Sequence, residues 1–137
     1  MNIENVKKFL NEYEECVVAS IGLDNQPQAA TVGFSVQDGK LVFGTNKKTR
    51  KYQNILHNSK VAIVVGVKGP KTAQIEGVAK EISGQDKPAL VSEHIRQVPE
   101  SGNYANQEGQ TYFMITPTWL RFTDYTKEEQ IFETSNF

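Results

Sequence analysis

The chain has 137 residues and a formal net charge of −1, the size of one domain, which sets the expectation of a single domain over residues 1–137. Val, Ile, Leu and Phe supply 35 of the 137 residues, too many for a disordered chain, and the near-neutral charge excludes a protein whose whole surface coats nucleic acid or anionic membrane. One cysteine, Cys16, and two histidines, His57 and His94, exclude an internal disulfide and a zinc-ligand set of usual spacing, so no metal site is expected.

Residues 2–15 read as a helix, with Asn2 as cap and Ile3, Val6, Phe9, Leu10 and Tyr13 at helical spacing. From Cys16 the period changes to two. Strands are predicted over Cys16–Gly22, Gln28–Val36 and Lys40–Thr45, joined by turn signals at Asp24-Asn25 and Asp38-Gly39. Residues 49–58 form a short helix with Thr49 at its N-cap and Tyr52, Ile55 and Leu56 on one face. Lys60–Val67 follows as a strand apolar on both faces, which needs a helix or a second subunit as cover; a subunit interface is the preferred reading. A fifth strand spans Thr72–Ile82, residues 86–97 suggest a helix, and 99–110 read as a loop. Gln110–Ile115 and Thr118–Tyr125 close the pattern as two strands broken at Pro117. Val plus Ile outnumber Leu by 22 to 6, and stiff β-branched side chains favour sheet. The expected fold is mainly β, a small antiparallel barrel or sandwich with a few helices. No apolar run reaches the roughly 18 residues that span a bilayer, and the N-terminus lacks an apolar signal region, so a cytoplasmic protein without a membrane partner is expected.

Two features point to chemistry. Lys47, Lys48, Arg50 and Lys51 place 4 of the 15 basic residues within five positions, between a strand end and a helix start. A helix N-terminus is already partly positive, so cations there oppose stability by roughly 0.3–1 kcal/mol each. Their position makes sense if an anion is held by backbone N–H groups, the Thr45 and Thr49 hydroxyls, Arg50 and Lys51; a solvated basic loop is the other reading. The second strand carries only small residues on one face, Ala29, Thr31, Gly33 and Ser35, which lets a flat ligand lie close to the backbone. Small residues on a solvent face, or beneath a helix, give the same pattern.

The run Leu41-Val42-Phe43-Gly44-Thr45-Asn46-Lys47-Lys48-Thr49-Arg50-Lys51, then Asn54-Ile55 and Asn58, resembles the pyridoxamine 5′-phosphate oxidase-like family of flavin mononucleotide (FMN)-binding split β-barrels. Gln26–Ala30, Gln74–Ala79 and Trp119–Asp124 extend the likeness, the last being similar to the closing strand of short, stress-protein-like members. The resemblance implies a homodimer with FMN, or a deazaflavin in its place, at the subunit interface. Thr45, Arg50 and Lys51 match phosphate-holding positions, and Thr49 matches the Ser/Thr of the same motif. Ala30, Thr31, Val32 and Gly33 match the strand whose backbone meets the isoalloxazine ring. Thr72 or Gln74 falls where the family places a glutamine near the flavin; the register around Gly77 leaves both open. Trp119 could cover a flavin from the partner subunit and Arg121 could pair with an anion, or Trp119 serves as core or interface packing.

True pyridoxamine-phosphate oxidases carry an Arg on the second strand, where this chain has Ala29-Ala30-Thr31-Val32, and a C-terminal His, whereas no His follows His94 here. The implied activity is therefore an FMN-dependent oxidoreductase acting on a small molecule, with substrate or reduced nicotinamide as partner, and not the vitamin oxidase. The alternative is a non-enzymatic, stress-related flavin-binding protein. A single-stranded nucleic-acid barrel is a third reading, but Phe43 and Tyr52 are the only aromatics close in sequence to the basic turn; no nucleic-acid partner is expected.

Overall fold

A computed structural model describes residues 1–137. The first helix, α1 (Ile3–Leu10), starts at a reciprocal cap: Asn2 Oδ1 accepts from the Asn5 N–H and Asn5 Oδ1 from the Asn2 N–H, each at 3.0 Å. It is shorter than the predicted 2–15. Residues beyond Leu10 are drawn into the sheet, where the Glu14 carbonyl accepts from Phe34 N–H at 2.9 Å and Glu15 pairs with Gly33. Val6, Phe9 and Leu10 of α1 are buried in the main core.

The strands are β1 (Glu15–Ile21), β2 (Pro27–Gln37), β3 (Lys40–Asn46), β4 (Lys60–Val65), β5 (Lys71–Glu81), β6 (Gln110–Asp124) and β7 (Ile131–Thr134). All pair antiparallel, in the order β3-β2-β1-β4-β5-β6-β7, and a β3–β6 pairing closes the first six into a barrel. The β2–β3 turn has positive φ at both Asp38 (54°) and Gly39 (75°), the hairpin geometry that Asp-Gly announces. Alternate side chains point inward, and Phe34, Leu41, Phe43, Ile63, Ile75, Phe113, Ile115 and Leu120 are almost fully excluded from water. Each such side chain contributes roughly 1.5–3 kcal/mol.

Three sequence expectations are corrected, and the cover expected over the second face of β4 is not supplied within one chain. The two final strands are one, β6, because Pro117 sits where the ladder has no need of its N–H: Glu76 opposes Trp119 and Gly77 opposes Pro117, leaving Thr118 as the extra residue of a bulge. Beyond the bulge, β6 exchanges β3 for β7, a strand the sequence did not announce. The loop 99–110 contains a 3₁₀ segment, Pro99–Tyr104. In β4, Val61, Ile63 and Val65 face the core while Ala62 and Val64 stay exposed on the single chain.

Two further helices lie outside the barrel, α2 (Arg50–His57) and α3 (Lys87–Gln97). Helix α3 covers the end of β2, whose edge is free after β1 ends opposite Gly33. The Gln97 amide imitates a neighbouring strand there, accepting from Val36 N–H at 3.0 Å and donating to Val36 C=O at 2.9 Å. No helix is long and apolar enough to cross a membrane.

Candidate functional site

The turn after β3 is fixed by its own polar groups. Asn46 Oδ1 accepts from Lys48 N–H at 3.0 Å, its Nδ2 donates to the Glu108 carbonyl at 2.9 Å, and Lys47 N–H donates to the Gly109 carbonyl at 2.8 Å. Thr49 occupies the N-cap position of α2, yet its side chain does not cap the helix. Its hydroxyl donates to the Asn46 carbonyl at 2.8 Å and lies 2.9 Å from the hydroxyl of buried Thr45. The first turn of α2 therefore has no side-chain acceptor, and holds no acidic residue either. Lys47, Lys48 and Arg50 are exposed. Lys51 is half-buried, and that burial pushes its ammonium below the ordinary lysine value.

Lys51 stands where two depressions meet. One is a cleft of about 450 Å³ bordered by Thr31, Val32 and Gly33 of β2, Gly44, Thr45 and Asn46 of β3, and the α3 side of the molecule. The other is a groove of about 90 Å³ beside Ala29, Ala30, Gln28, Arg50 and Ser20. The structure thus brings Thr31, Val32, Gly33, Thr45 and Lys51 to one cleft, and Ala30 and Arg50 to its neighbour. Arg50 and Thr49 also border an open depression on the α2 side. The small face of β2 is used in two ways: Ala29 and Thr31 are exposed, while Gly33 and Ser35 lie under α3 and the 3₁₀ segment. A Cβ on Gly33 would come 3.1 Å from Val98 Cγ1.

Thr72, Gln74 and Trp119 are not brought to this cleft within one chain. Thr72 Oγ1 donates to the Val65 carbonyl at 3.3 Å, and Gln74 opposes Arg121 on the outward side of β5 and β6. Trp119 Nε1, Arg121 Nε and Arg121 Nη2 all donate to Glu133 Oε1 of β7, at 3.1, 3.3 and 3.1 Å. Arg121 also lies over the Trp119 ring, 5.9 Å from its centroid. The anion that Arg121 pairs with belongs to the chain itself.

The sequence reading missed the far wall of the cleft. His94 of α3 is 1 % exposed, with Nδ1 2.8 Å from Ser35 Oγ and its ring edge-on to Tyr112. Burial lowers its pKa to about 4, so it is neutral near pH 7. Tyr112 lies against Gly44, and its hydroxyl is fully buried, with the Gln110 side chain as its one polar neighbour and no hydrogen bond of good geometry. Burial raises that phenol's pKa, with the Gln110 side chain acting in the opposite sense. Ser101, Tyr104, Gln107 and Gln110 also line the cleft, as do the exposed residues Glu14, Glu15 and Glu100. Helix α3 shows no apolar stripe that would mark one face as buried, so nothing local in 86–97 placed His94 in a buried wall. Cys16 is a buried strand residue, its thiol pushed up to about 12 by desolvation, and unsuited to nucleophilic work.

Comparison with known proteins agrees with this geometry. No protein of curated function matches the sequence significantly. Among solved structures, a heme-binding protein from Mycobacterium smegmatis superposes with a TM-score of 0.85 at 14% identity, covering 96% of this chain and 57% of the other. This chain therefore spans a little under three fifths of that protein. An FAD-binding protein from Mesorhizobium loti gives 0.72 at 15% identity over 89% and 94% of the two chains. A NimC/NimA family protein from Clostridium acetobutylicum gives 0.73 at 19% identity over 98% and 94%. At such identities these likenesses establish the split-barrel fold alone. The sequence profile described as pyridoxamine 5′-phosphate oxidase matches residues 3–124, from α1 to the last residue of β6. On that match, which takes in the barrel and both walls of the cleft, the chain belongs to the pyridoxamine 5′-phosphate oxidase family.

Proposed function

We propose that the protein binds FMN along β2 and acts as a flavin-dependent oxidoreductase on a small organic molecule, as a homodimer whose partner adds to the site. The observation that carries this reading is the cleft running from Lys51 and the uncapped start of α2, along the small-residue stretch of β2, to the α3 wall. These residues fit the group. A half-desolvated ammonium beside open helix N–H groups and two hydroxyls suits a phosphate, with Arg50 within the adjoining groove. Ala30, Thr31, Val32 and Gly33 border these depressions and present main chain that the edge of a flat ring can reach. A flavin or deazaflavin held there would supply hydride and electron chemistry, while the chain supplies binding, orientation and exclusion of water. Neutral His94, fixed by Ser35, keeps a positive charge out of the wall at neutral pH.

Thr72, Gln74 and Trp119 enter this reading only as residues of the partner's outward sheet face. The missing β2 arginine argues against pyridoxine 5′-phosphate as substrate. We expect no meaningful formation of pyridoxal 5′-phosphate by the FMN-saturated protein. The absorbance spectrum of the freshly purified protein tests the cofactor: the two near-ultraviolet and blue bands of an oxidised flavin support it. A Soret band or a featureless spectrum, with no FMN binding on titration, overturns it. Steady-state oxidation of a reduced nicotinamide then separates an enzyme from a flavin carrier.

A further inference from the structure

Helix α3 brings to the cleft one side chain whose two ring nitrogens differ in their surroundings. His94 is 1 % exposed, yet it lines the cleft beside Gly33, Val98 and Ser101. Its Nδ1 is 2.8 Å from Ser35 Oγ, and its Nε2 has no partner in the chain. The one fully enclosed side-chain polar atom without a good hydrogen bond is the Tyr112 hydroxyl. Nε2 is therefore not enclosed, and it is the atom through which His94 meets the cleft.

The bonds behind the ring decide which nitrogen carries the proton. The Leu90 carbonyl accepts from Gln37 Nε2 at 2.9 Å, which fixes the orientation of that amide. The same nitrogen donates to Ser35 Oγ at 3.3 Å. Ser35 is 1 % exposed, and His94 Nδ1 is the only acceptor within reach of its hydroxyl proton. Were Nδ1 protonated, two donors would face Ser35 Oγ and its own buried proton would bond to nothing. The hydroxyl therefore donates to Nδ1, and the ring carries its proton on Nε2. Burial keeps that ring neutral near pH 7. The cleft wall thus holds a fixed, neutral N–H donor that the chain leaves unused. Such an N–H is the wrong group for a metal ion, which needs the bare nitrogen.

We propose that His94 Nε2–H is a specificity-determining donor, and that it receives the carbonyl oxygen of a planar molecule bound at the α3 end of the cleft. The carbonyl belongs either to a flavin ring lying along β2 or to the small molecule that reacts with it. Only the identity of the occupant rests on the flavin reading; the donor does not. A neutral donor held in place by Gln37 and Ser35 selects for an acceptor atom without demanding a charged ligand. Its bond is strengthened by the desolvated wall around it.

The test reads the ring nitrogens of isotope-labelled histidine by NMR at neutral pH. His94 is expected to show a protonated Nε2 and a bare Nδ1; the opposite tautomer overturns the proposal. The probes are 1-methyl-2-pyridone, a flat neutral ring with a carbonyl, and toluene, a ring of similar size without one. The pyridone should move the Nε2–H resonance downfield to saturation and bind about fivefold more tightly than toluene. His94→Leu should abolish that preference, and His94→Gln, which keeps an N–H near the Nε2 position, should retain most of it. Ser35→Ala serves as a second variant, since it frees Nδ1 to take the proton and should reduce the preference with His94 still in place. Equal binding of the two rings, or a preference unchanged in His94→Leu or Ser35→Ala, overturns the proposal. So does an Nε2–H resonance that neither the pyridone nor FMN moves at millimolar concentration. FMN titrated alone separates the two sources. A resonance moved by FMN and then insensitive to the pyridone assigns the donor to the flavin ring, and one still moved by the pyridone assigns it to the reaction partner. A protein that takes no FMN yet bonds the pyridone through His94 removes the flavin reading and leaves the donor standing.

Discussion

Arg50 and Lys51 are adjacent in sequence but differ in surroundings, one exposed and one half-buried at the junction of the cleft and the groove. If both hold a phosphate, each supplies a charge-assisted hydrogen bond of roughly 1.5–3 kcal/mol. Arg50→Ala with Lys51→Ala should then weaken FMN by about 3 kcal/mol, over a hundredfold, and riboflavin little. Titration of both ligands decides it, equal losses meaning that the pair supports the fold of the site. Stability of the ligand-free protein should stay level or rise, since two cations leave the positive end of α2. His94 makes a second prediction. Its folded pKa, about 4 against an ordinary 6.5, means that the unfolded chain takes up a proton before the folded one does. Stability is therefore complete above about pH 6.5 and declines as pH falls toward 4, by at most about 3 kcal/mol. Glu93 and Asp124, whose carboxyls are held low by Arg96 and Thr126 respectively, begin to lose their contributions as pH nears the ordinary carboxyl values, at the acid end of that range. Thermal unfolding followed from pH 7 to 4.5 should show this slope in the wild type and a flatter one in His94→Asn, which keeps a polar group facing Ser35.

Strand β6 does the work of two elements, and its bulge decides where. Up to Ile115 it pairs with β3 and closes the barrel; from Leu120 to Thr123 it pairs with β7. The residue opposite the bulge is Gly77, where an added Cβ would lie 2.7 Å from the Thr116 carbonyl oxygen and 2.8 Å from Ile115 Cγ2. Backbone cannot move aside as a flexible side chain can, so Gly77→Ala should cost roughly 2 kcal/mol or more. A fall in the urea midpoint at unchanged slope checks this, and an unchanged midpoint refutes it. The bulge also shows why the resemblance could not be aligned between Thr72 and Gln74 from sequence, since the count along the β5–β6 ladder shifts by one at Gly77. Helix α3 is attached through side chains: Gln97 to Val36, His94 to Ser35, and Gln37 Nε2 to the Leu90 carbonyl at 2.9 Å. Such attachments leave no periodic trace in the sequence.

Across the molecule, the outward face of the sheet forms one surface. Val17 opposes both Thr31 and Val64, Ala19 opposes both Ala29 and Ala62, and Val64 opposes Gln74. With Val64 36 % and Val78 42 % exposed, its centre is apolar on the isolated chain. It adjoins the β2 stretch of the cleft and also carries Gln74 and Trp119. A second copy seated there would bring those residues toward a flavin in the first. We therefore expect a homodimer of twice 15.4 kDa that persists on dilution to micromolar concentration. Light scattering that gives the mass of one chain would remove this face from the functional reading.

Composition and alternation alone specified a β-rich fold, barrel or sandwich, because one buried face and one open face impose period two wherever a strand lies on a single core. The capped first helix, the Asp38-Gly39 hairpin and the basic turn before α2 were legible for a related reason: each is set by residues within a few positions of one another. Helix α1 stopped short because Glu14 and Glu15 are claimed by Phe34 and Gly33, twenty and eighteen positions away. Pro117 read as a break because its tolerance depends on a bulge that exists only against Gly77. The buried positions of His94 and Tyr112 gave no signal, since each is set by partners on other elements. The sequence determined the strands, the turns and the cation-rich start of α2. Only the closed barrel decided that Lys51 and His94 share one cleft, because that proximity arises from pairing between segments far apart along the chain.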